Sequence, residues 1–320
     1  MKLNASIKLG ILALTLGCTT VGAVLSTPQA AWAATVPDSK AVYHQFQKYW
    51  KNAVKSSASL IQARKYLLNH VHEVNARQAT LMTMQLESVQ NIKLAEIDEK
   101  IYADPVQTII SEAHENIGYD KKLTYSSLLK EIKDPATRKL LQEASDLGYK
   151  LETSEGMYYP IINYEGYKRL QPYLAPDIAA YIDIMATESN QASTSDAALI
   201  IPWGELIQRT LAMEAFLNAY PQSSRTTTVD NLLYLYVHFL YYGSDNTPAY
   251  DWFTEDEIRT LIPEVKQAYE KALAKREPNT KSEILDSLER VLALLEQTND
   301  RLTPDIQATI ESILDRYSPE

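Results

Sequence analysis

Glycine is the residue that most constrains this chain. Nine occur in 320 residues. Gly10, Gly17 and Gly22 fall in an apolar N-terminal stretch. The other six, Gly118, Gly148, Gly156, Gly166, Gly204 and Gly243, never lie closer than eight residues apart. Tight hairpins draw on residues that tolerate positive φ, so this spacing argues against a many-stranded sandwich or barrel. Helices joined by short turns need few such residues, and a mainly α fold is expected. Whole classes of chemistry go the same way. Phosphate-cradling loops and dinucleotide fingerprints need clustered glycines, because backbone amides must approach the phosphates unobstructed. The Gly-x-Ser-x-Gly nucleophile turn needs a closely spaced pair as well.

Periodicity fills in the elements. From Asp38 to Ala103 breakers are almost absent. Val42, Phe46, Tyr49 and Trp50 begin an apolar stripe that continues through Leu60, Ile61, Tyr66, Leu67 and Val71. Leu86, Val89, Leu94, Ile97 and Ile101 mark a second. The pattern predicts a pair of long helices with a break near 55–58 or 73–78. Asp104-Pro105 and Asp134-Pro135 read as helix starts, aspartate capping the free amides and proline occupying the first turn. The second of these helices should end at Gly148. Ala175-Pro176-Asp177 and Thr303-Pro304 repeat the start signal. The stretch YKLETSEGMYYPIINY predicts one small β-hairpin near 149–162, turning at Ser154-Glu155-Gly156 with Pro160 on an edge. Residues 190–198, NQASTSDAA, are small, polar and aperiodic and read as a linker. It would divide an N-terminal helical domain with a β-hairpin, 34–190, from a C-terminal helical-hairpin domain, 199–320.

Beyond the linker, Trp203 to Ala219 reads as a helix stopped by Tyr220-Pro221. Val229 to Tyr242 reads as a second, apolar on nearly every side and therefore expected to be buried. The segment AMEAFLNAYPQSS followed by VDNLLYLYVHFLYYG resembles the hinge between helical hairpins in tetratricopeptide-type repeat proteins of bacterial envelopes. Ala212, Phe216, Ala219, Pro221, Ser223, Tyr236 and Gly243 carry the resemblance, and a weaker copy follows at Ala268, Ala272, Pro278 and Thr280. It covers residues 203–298 and implies stacked helical hairpins whose small residues let paired helices interlock. The two prolines are 57 residues apart, against a period of about 34 in that repeat type. Ordinary helical hairpins with a proline stop are the competing reading.

The N-terminus predicts an address. Lys2 and Lys8 precede the apolar run LGILALTLGCTTVGAVL, and Ala31-Trp32-Ala33 places small residues at a cleavage site, so residues 1–33 are expected to be a secretory signal peptide cut after Ala33. Lipoprotein processing at Cys18 is the rival, but Thr15 stands where a leucine is usual and the apolar run continues to Leu25. Cleavage would leave no cysteine, hence no disulfide. It would also leave 29 of the 31 basic residues against all 41 acidic ones, a net charge of −12. Nucleic acid and anionic lipid are disfavoured as partners by that charge, and no membrane span is expected after cleavage.

Candidate chemistry is sparse. No His-Glu-x-x-His motif occurs. His70 and His72 are two apart and should point to different sides of a helix. His114 falls in the last turn of its helix, and His238 is expected in the core. Asp245, Asn246 and Asp251 match no standard calcium loop. No metal, cofactor or catalytic residue is implied. Tyrosine is the one excess, 21 against four Phe and four Trp. Two clusters are candidate binding residues: Tyr158, Tyr159 and Tyr164, with Tyr167 nearby, and Tyr241, Tyr242, Asp245, Tyr250, Asp251 and Trp252. A phenol offers apolar area and a hydroxyl together. The expected function is a secreted or envelope-associated, non-catalytic binding or scaffold protein that holds a protein or cell-wall polymer on a helical-hairpin surface. The alternatives are a helical metal-dependent or carboxylate hydrolase, and an inhibitor of an exported enzyme acting through the long N-terminal helices.

Overall fold

The computed structural model describes residues 39–251 and 259–318. The expected signal peptide with its Ala33 boundary, and Trp252 of the second tyrosine cluster, lie outside the described residues.

Three helices stand where two were expected: α1 (Ser39–Ala53), α2 (Ser57–His70) and α3 (Ala76–Ile101). Both candidate breaks are used. Ser56 starts α2 by accepting from the Ser59 amide at 3.3 Å. Asn75 and Gln78 start α3 with a reciprocal capping box. Each cap supplies a side-chain acceptor for amides that a helix start leaves open, so the chain turns at low cost. Phe46, Leu60, Leu67, Met82, Leu86 and Ile97 are buried among these helices.

The short helix α5 (Tyr125–Glu131) lies between α4 (Asp104–Ile117) and α6 (Pro135–Leu147). Asp134 caps α6 as expected, accepting from the Thr137 amide at 2.7 Å. Gly148 closes that helix in the left-handed region, with φ 94°. Asp104 does not cap α4. Ala103 occupies the cap position without a side-chain bond, and Asp104 sits inside the first turn, where its charge still suits the helix dipole. The hairpin expected near 149–162 forms from β1 (Tyr149–Ser154) and β2 (Met157–Ile162), with Leu151 opposite Pro160. A 3-10 run over Tyr164–Tyr173 then leads into α7 (Pro176–Asn190).

The expected linker is not a loose spacer. β3 (Thr194–Ser195) and β4 (Ala198–Leu199) form a tight hairpin around Asp196 and Ala197, whose φ angles are 49° and 53°. It is clasped by a second hairpin, β5 (Gly243–Ser244) with β6 (Thr247–Pro248). The Asn246 amide donates to the Ala197 carbonyl at 2.9 Å, and the Asn246 side chain donates to the Asp196 carbonyl at 2.6 Å. A further pair joins β7 (Tyr250–Asp251) to β8 (Thr260–Leu261). The first two of these ladders turn at Asp196-Ala197 and at Asp245-Asn246, without glycine in the turn itself, so the glycine count does not announce them.

In the C-terminal half, α8 (Trp203–Ala219) packs on α9 (Thr226–Tyr242), and α10 (Pro263–Ala274) packs on α8 and on α11 (Glu283–Gln297). α12 (Pro304–Tyr317) rests on α9 and α11. The fold is thus mainly α, built from helical hairpins with small β-hairpins between them. α9 buries Val229, Leu233, Tyr236, Val237 and Leu240, yet it is not enclosed on all sides. Asn231, Leu235 and His238 share one outward face. His238, expected in the core, is exposed.

Candidate functional site

α8 forms a low ridge with an opening on each side. Its outward residues Gly204, Gln208 and Ala212 are exposed, and two of the three are too small to stand above the backbone. Between α8 and α10 lies a groove of about 560 Å³. Trp203, Ile207, Leu211, Ala268, Ala272 and Leu285 supply its apolar lining. The void follows from the sequence. Ala268 and Ala272 are four apart and face α8 with one carbon each, where a longer aliphatic side chain would fill the space. These alanines were expected to let helices interlock; α10 does pack on α8, and both alanines line the groove between the two helices.

The groove's edge along α10 and its C-cap carries Gln267, Lys271 and Lys275, all exposed. Lys271 Nζ donates to Gln267 Oε1 at 2.9 Å. Among the described residues, no carboxylate pairs with Lys271 or Lys275. Arg276, by contrast, is engaged by Asp286 and by Glu289 at 3.3 Å. Glu264 and Glu277 complete the charged groups around the groove.

On the other side of α8, a cleft of about 330 Å³ opens toward α7. Arg209 is buried in its wall. Its Nη1 donates to Glu188 Oε1 at 3.1 Å and to the Gln191 carbonyl at 2.8 Å, while Nε donates to Glu205 Oε1 at 3.1 Å. The Tyr236 hydroxyl donates to Glu188 at 2.7 Å. Burial raises the Glu188 carboxyl above the usual range, opposed by its hydrogen bonds from Tyr236 and the Arg209 charge. One guanidinium binds both carboxylates, which makes this an ion-paired wall rather than a free acid beside a free base.

The predicted tyrosines serve the interior. Tyr241, Tyr250, Tyr158 and Tyr164 are 0%, 3%, 3% and 6% exposed, so none can offer its ring to a partner. Tyr241 donates to Ser287 Oγ at 2.7 Å and Tyr164 to Glu87 Oε1 at 2.6 Å. Tyr242 and Tyr159 are half-buried, while Asp245 and Asp251 are exposed on a turn and a strand end. Among the described residues, most rings of the two clusters are therefore turned inward. Among the described residues, no three His, Asp or Glu side chains converge as a metal ion would require. His114 is buried in the last turn of α4, with Nδ1 3.0 Å from the Tyr158 hydroxyl and Nε2 without a hydrogen-bond partner. His70 and His72 both approach Glu73 Oε1, at 2.7 and 3.7 Å.

Sequence reasoning missed the α8–α10 groove. Its only trace is the small residues Gly204 on one helix and Ala268 and Ala272 on the other, which do not themselves say whether a groove is left between the helices. No family model, curated protein or solved structure matches this chain.

Proposed function

We propose that the protein is an exported, non-catalytic scaffold that holds an amphipathic helical segment of another protein across α8. The observation that carries this reading is the apolar α8–α10 groove, flanked by Lys271 and Lys275 without carboxylate partners among the described residues. Apolar side chains of the partner enter the groove. Its acidic side chains meet the two lysines, and the low surface at Gly204 and Ala212 allows close backbone approach. Charge complementarity favours this occupant, since an acidic edge beside an apolar face matches the two lysines along α10.

A phage-displayed library of helical peptides, selected on the intact protein, tests the reading. Selected peptides are expected to carry apolar residues at i, i+3 and i+4 with Asp or Glu along one edge. Their affinity should fall at least about tenfold against Ala268→Trp, which fills the groove, with an unchanged far-ultraviolet circular dichroism spectrum confirming that the variant is folded. Equal binding to the filled variant would overturn the proposal. Failure to select peptides, together with co-sedimentation with purified cell wall, would favour a polymer ligand instead.

A further inference from the structure

A further cavity, of about 550 Å³, lies in the N-terminal half, among residues of α2, α5, α6 and the β1–β2 hairpin. Arg64 of α2 reaches into it beneath the α6–β1 junction. Glycine at 148 makes room for that guanidinium: a Cβ there would lie 2.5 Å from Arg64 Nε. Arg64 Nη1 donates to the Asp146 carbonyl at 3.3 Å, whereas the Asp146 carboxylate lies 3.4 Å from Lys65 Nζ. No carboxylate pairs with Arg64 among the described residues. Burial lowers its pKa, although a guanidinium stays charged.

Apart from Lys122, the other charges around the cavity are matched. Lys150 pairs with Glu152 at 2.6 Å. Glu165 takes Lys168 at 3.4 Å and the Asn190 amide at 2.8 Å. That leaves Arg64 as a partly desolvated cation without a direct ion pair, the Asp146 charge acting on it only from beyond contact distance, with exposed Lys122 also lining the space. Hydroxyl and amide groups stand around it. Ser126, Ser145 and Asn163 line the cavity, and their side chains form no hydrogen bond within the described residues. Tyr125 adds its ring to the wall, its own hydroxyl being enclosed by protein. A desolvated cation is costly unless an anion arrives to meet it.

We propose that this cavity is a binding site for an anionic sugar, whose carboxylate or phosphate is received by Arg64 while Ser126, Ser145 and Asn163 meet its hydroxyls. The guanidinium fork fits either oxyanion, and the volume suits one or two sugar rings rather than a polymer chain. This site is separate from the α8–α10 groove and does not depend on what that groove holds.

Isothermal titration of the full-length protein with glucuronate, glucose 6-phosphate and neutral glucose tests it. At least one of the two anions is expected to bind, with glucose silent. Arg64→Gln should weaken that binding at least about tenfold, the loss expected when a charged hydrogen-bond pair goes. Lys122→Ser, which changes only an exposed side chain, should weaken it by a smaller factor while leaving the thermal midpoint of the free protein unchanged. Binding of glucuronate alone would identify the carboxylate, and of glucose 6-phosphate alone the phosphate, as the recognised group. No binding of either anion at millimolar concentration, or equal binding by wild type, Arg64→Gln and Lys122→Ser, would overturn the proposal.

Discussion

Arg225 and Glu87, 138 residues apart in sequence, form an ion pair that fastens the start of α9 to the middle of α3. Glu87 is 5% exposed and also accepts the hydroxyls of Tyr164 at 2.6 Å and Tyr181 at 2.7 Å. The Arg225 guanidinium lies 5.1 Å from the centre of the Tyr181 ring. Two residues earlier, Ser223 donates to Asp177 Oδ2 at 2.7 Å. The turn that stops α8 is therefore also the joint by which the C-terminal half grips the N-terminal half.

Removing the cation from this joint leaves a buried carboxylate with only phenols for partners. Arg225→Met is expected to cost about 3 kcal/mol of stability, since a stranded charge loses its compensation while keeping its desolvation penalty. Adding Glu87→Gln removes the stranded charge, so the double variant should lose less than the sum of the single losses. Urea unfolding of the four proteins measures both quantities; strict additivity would show that the two side chains do not act as a pair.

Alkaline pH should unfold the protein cooperatively. Burial pushes the phenols of Tyr167 and Tyr269 well above their ordinary value, and burial together with the Glu87 charge does the same for Tyr164 and Tyr181. Below about pH 10 tyrosine is neutral in both folded and unfolded chains and stability is unaffected. Above it the unfolded chain loses protons that the folded chain retains, so stability falls as pH rises. A pH-jump experiment is expected to show a slow tyrosinate rise from the buried phenols, coincident with loss of helical dichroism. Smooth titration of every phenol with the helices intact would contradict it.

What the sequence revealed was local, because local features have local causes. Asp134 and Gly148 mark the ends of α6 through bonds made within a few residues, and both were legible. The Asn75–Gln78 box is equally local, but it lies within an apolar rhythm that reads as continuous helix. The stop at Pro221 was legible too. Its partners Glu87 and Asp177 were not, since nothing near Arg225 indicates which distant helix will face it. The tyrosines misled for a related reason. A phenol serves a surface or a core equally well, and its position is decided by whether acceptors such as Glu87 and Ser287 are brought to it. Groove and cavity alike depend on the spacing between elements, which periodicity within one helix does not encode.

Two glycines should respond in opposite ways to alanine. Gly243 has φ 78° and ψ −154°, and a Cβ there would lie 2.2 Å from the Thr247 carbonyl oxygen. Gly243→Ala is expected to cost at least about 2 kcal/mol, because backbone on both sides of the β5–β6 turn would have to move. At Gly204 nothing lies within 4 Å of the added carbon, and the residue is helical. Gly204→Ala should stabilise by about 0.4–1 kcal/mol through the unfolded chain. Thermal melts of the two variants check the pair, and a loss at Gly204 would mean that the low ridge is held by something other than helix propensity.

Glu188 carries the clearest carboxylate signature in the stability profile. Its folded pKa is raised, chiefly by burial, above the ordinary value of about 4.3 that it has when unfolded. Between those two values the folded protein binds a proton that the unfolded chain releases. This group's contribution to stability therefore rises as pH falls through its folded pKa, and becomes constant below the unfolded value. Glutamine at this position cannot titrate, so the stability of wild type minus that of Glu188→Gln should increase on acidification from neutral pH into the ordinary carboxylate range. Carboxylates held below their usual range, such as Glu96 by its bonds from Lys100 and Lys93, act in the opposite sense and cancel from this difference. Urea midpoints at closely spaced pH values provide the curve. A difference that is flat, or that shrinks on acidification, would mean that Arg209 and Tyr236 outweigh the desolvation of this carboxylate and hold it ionised.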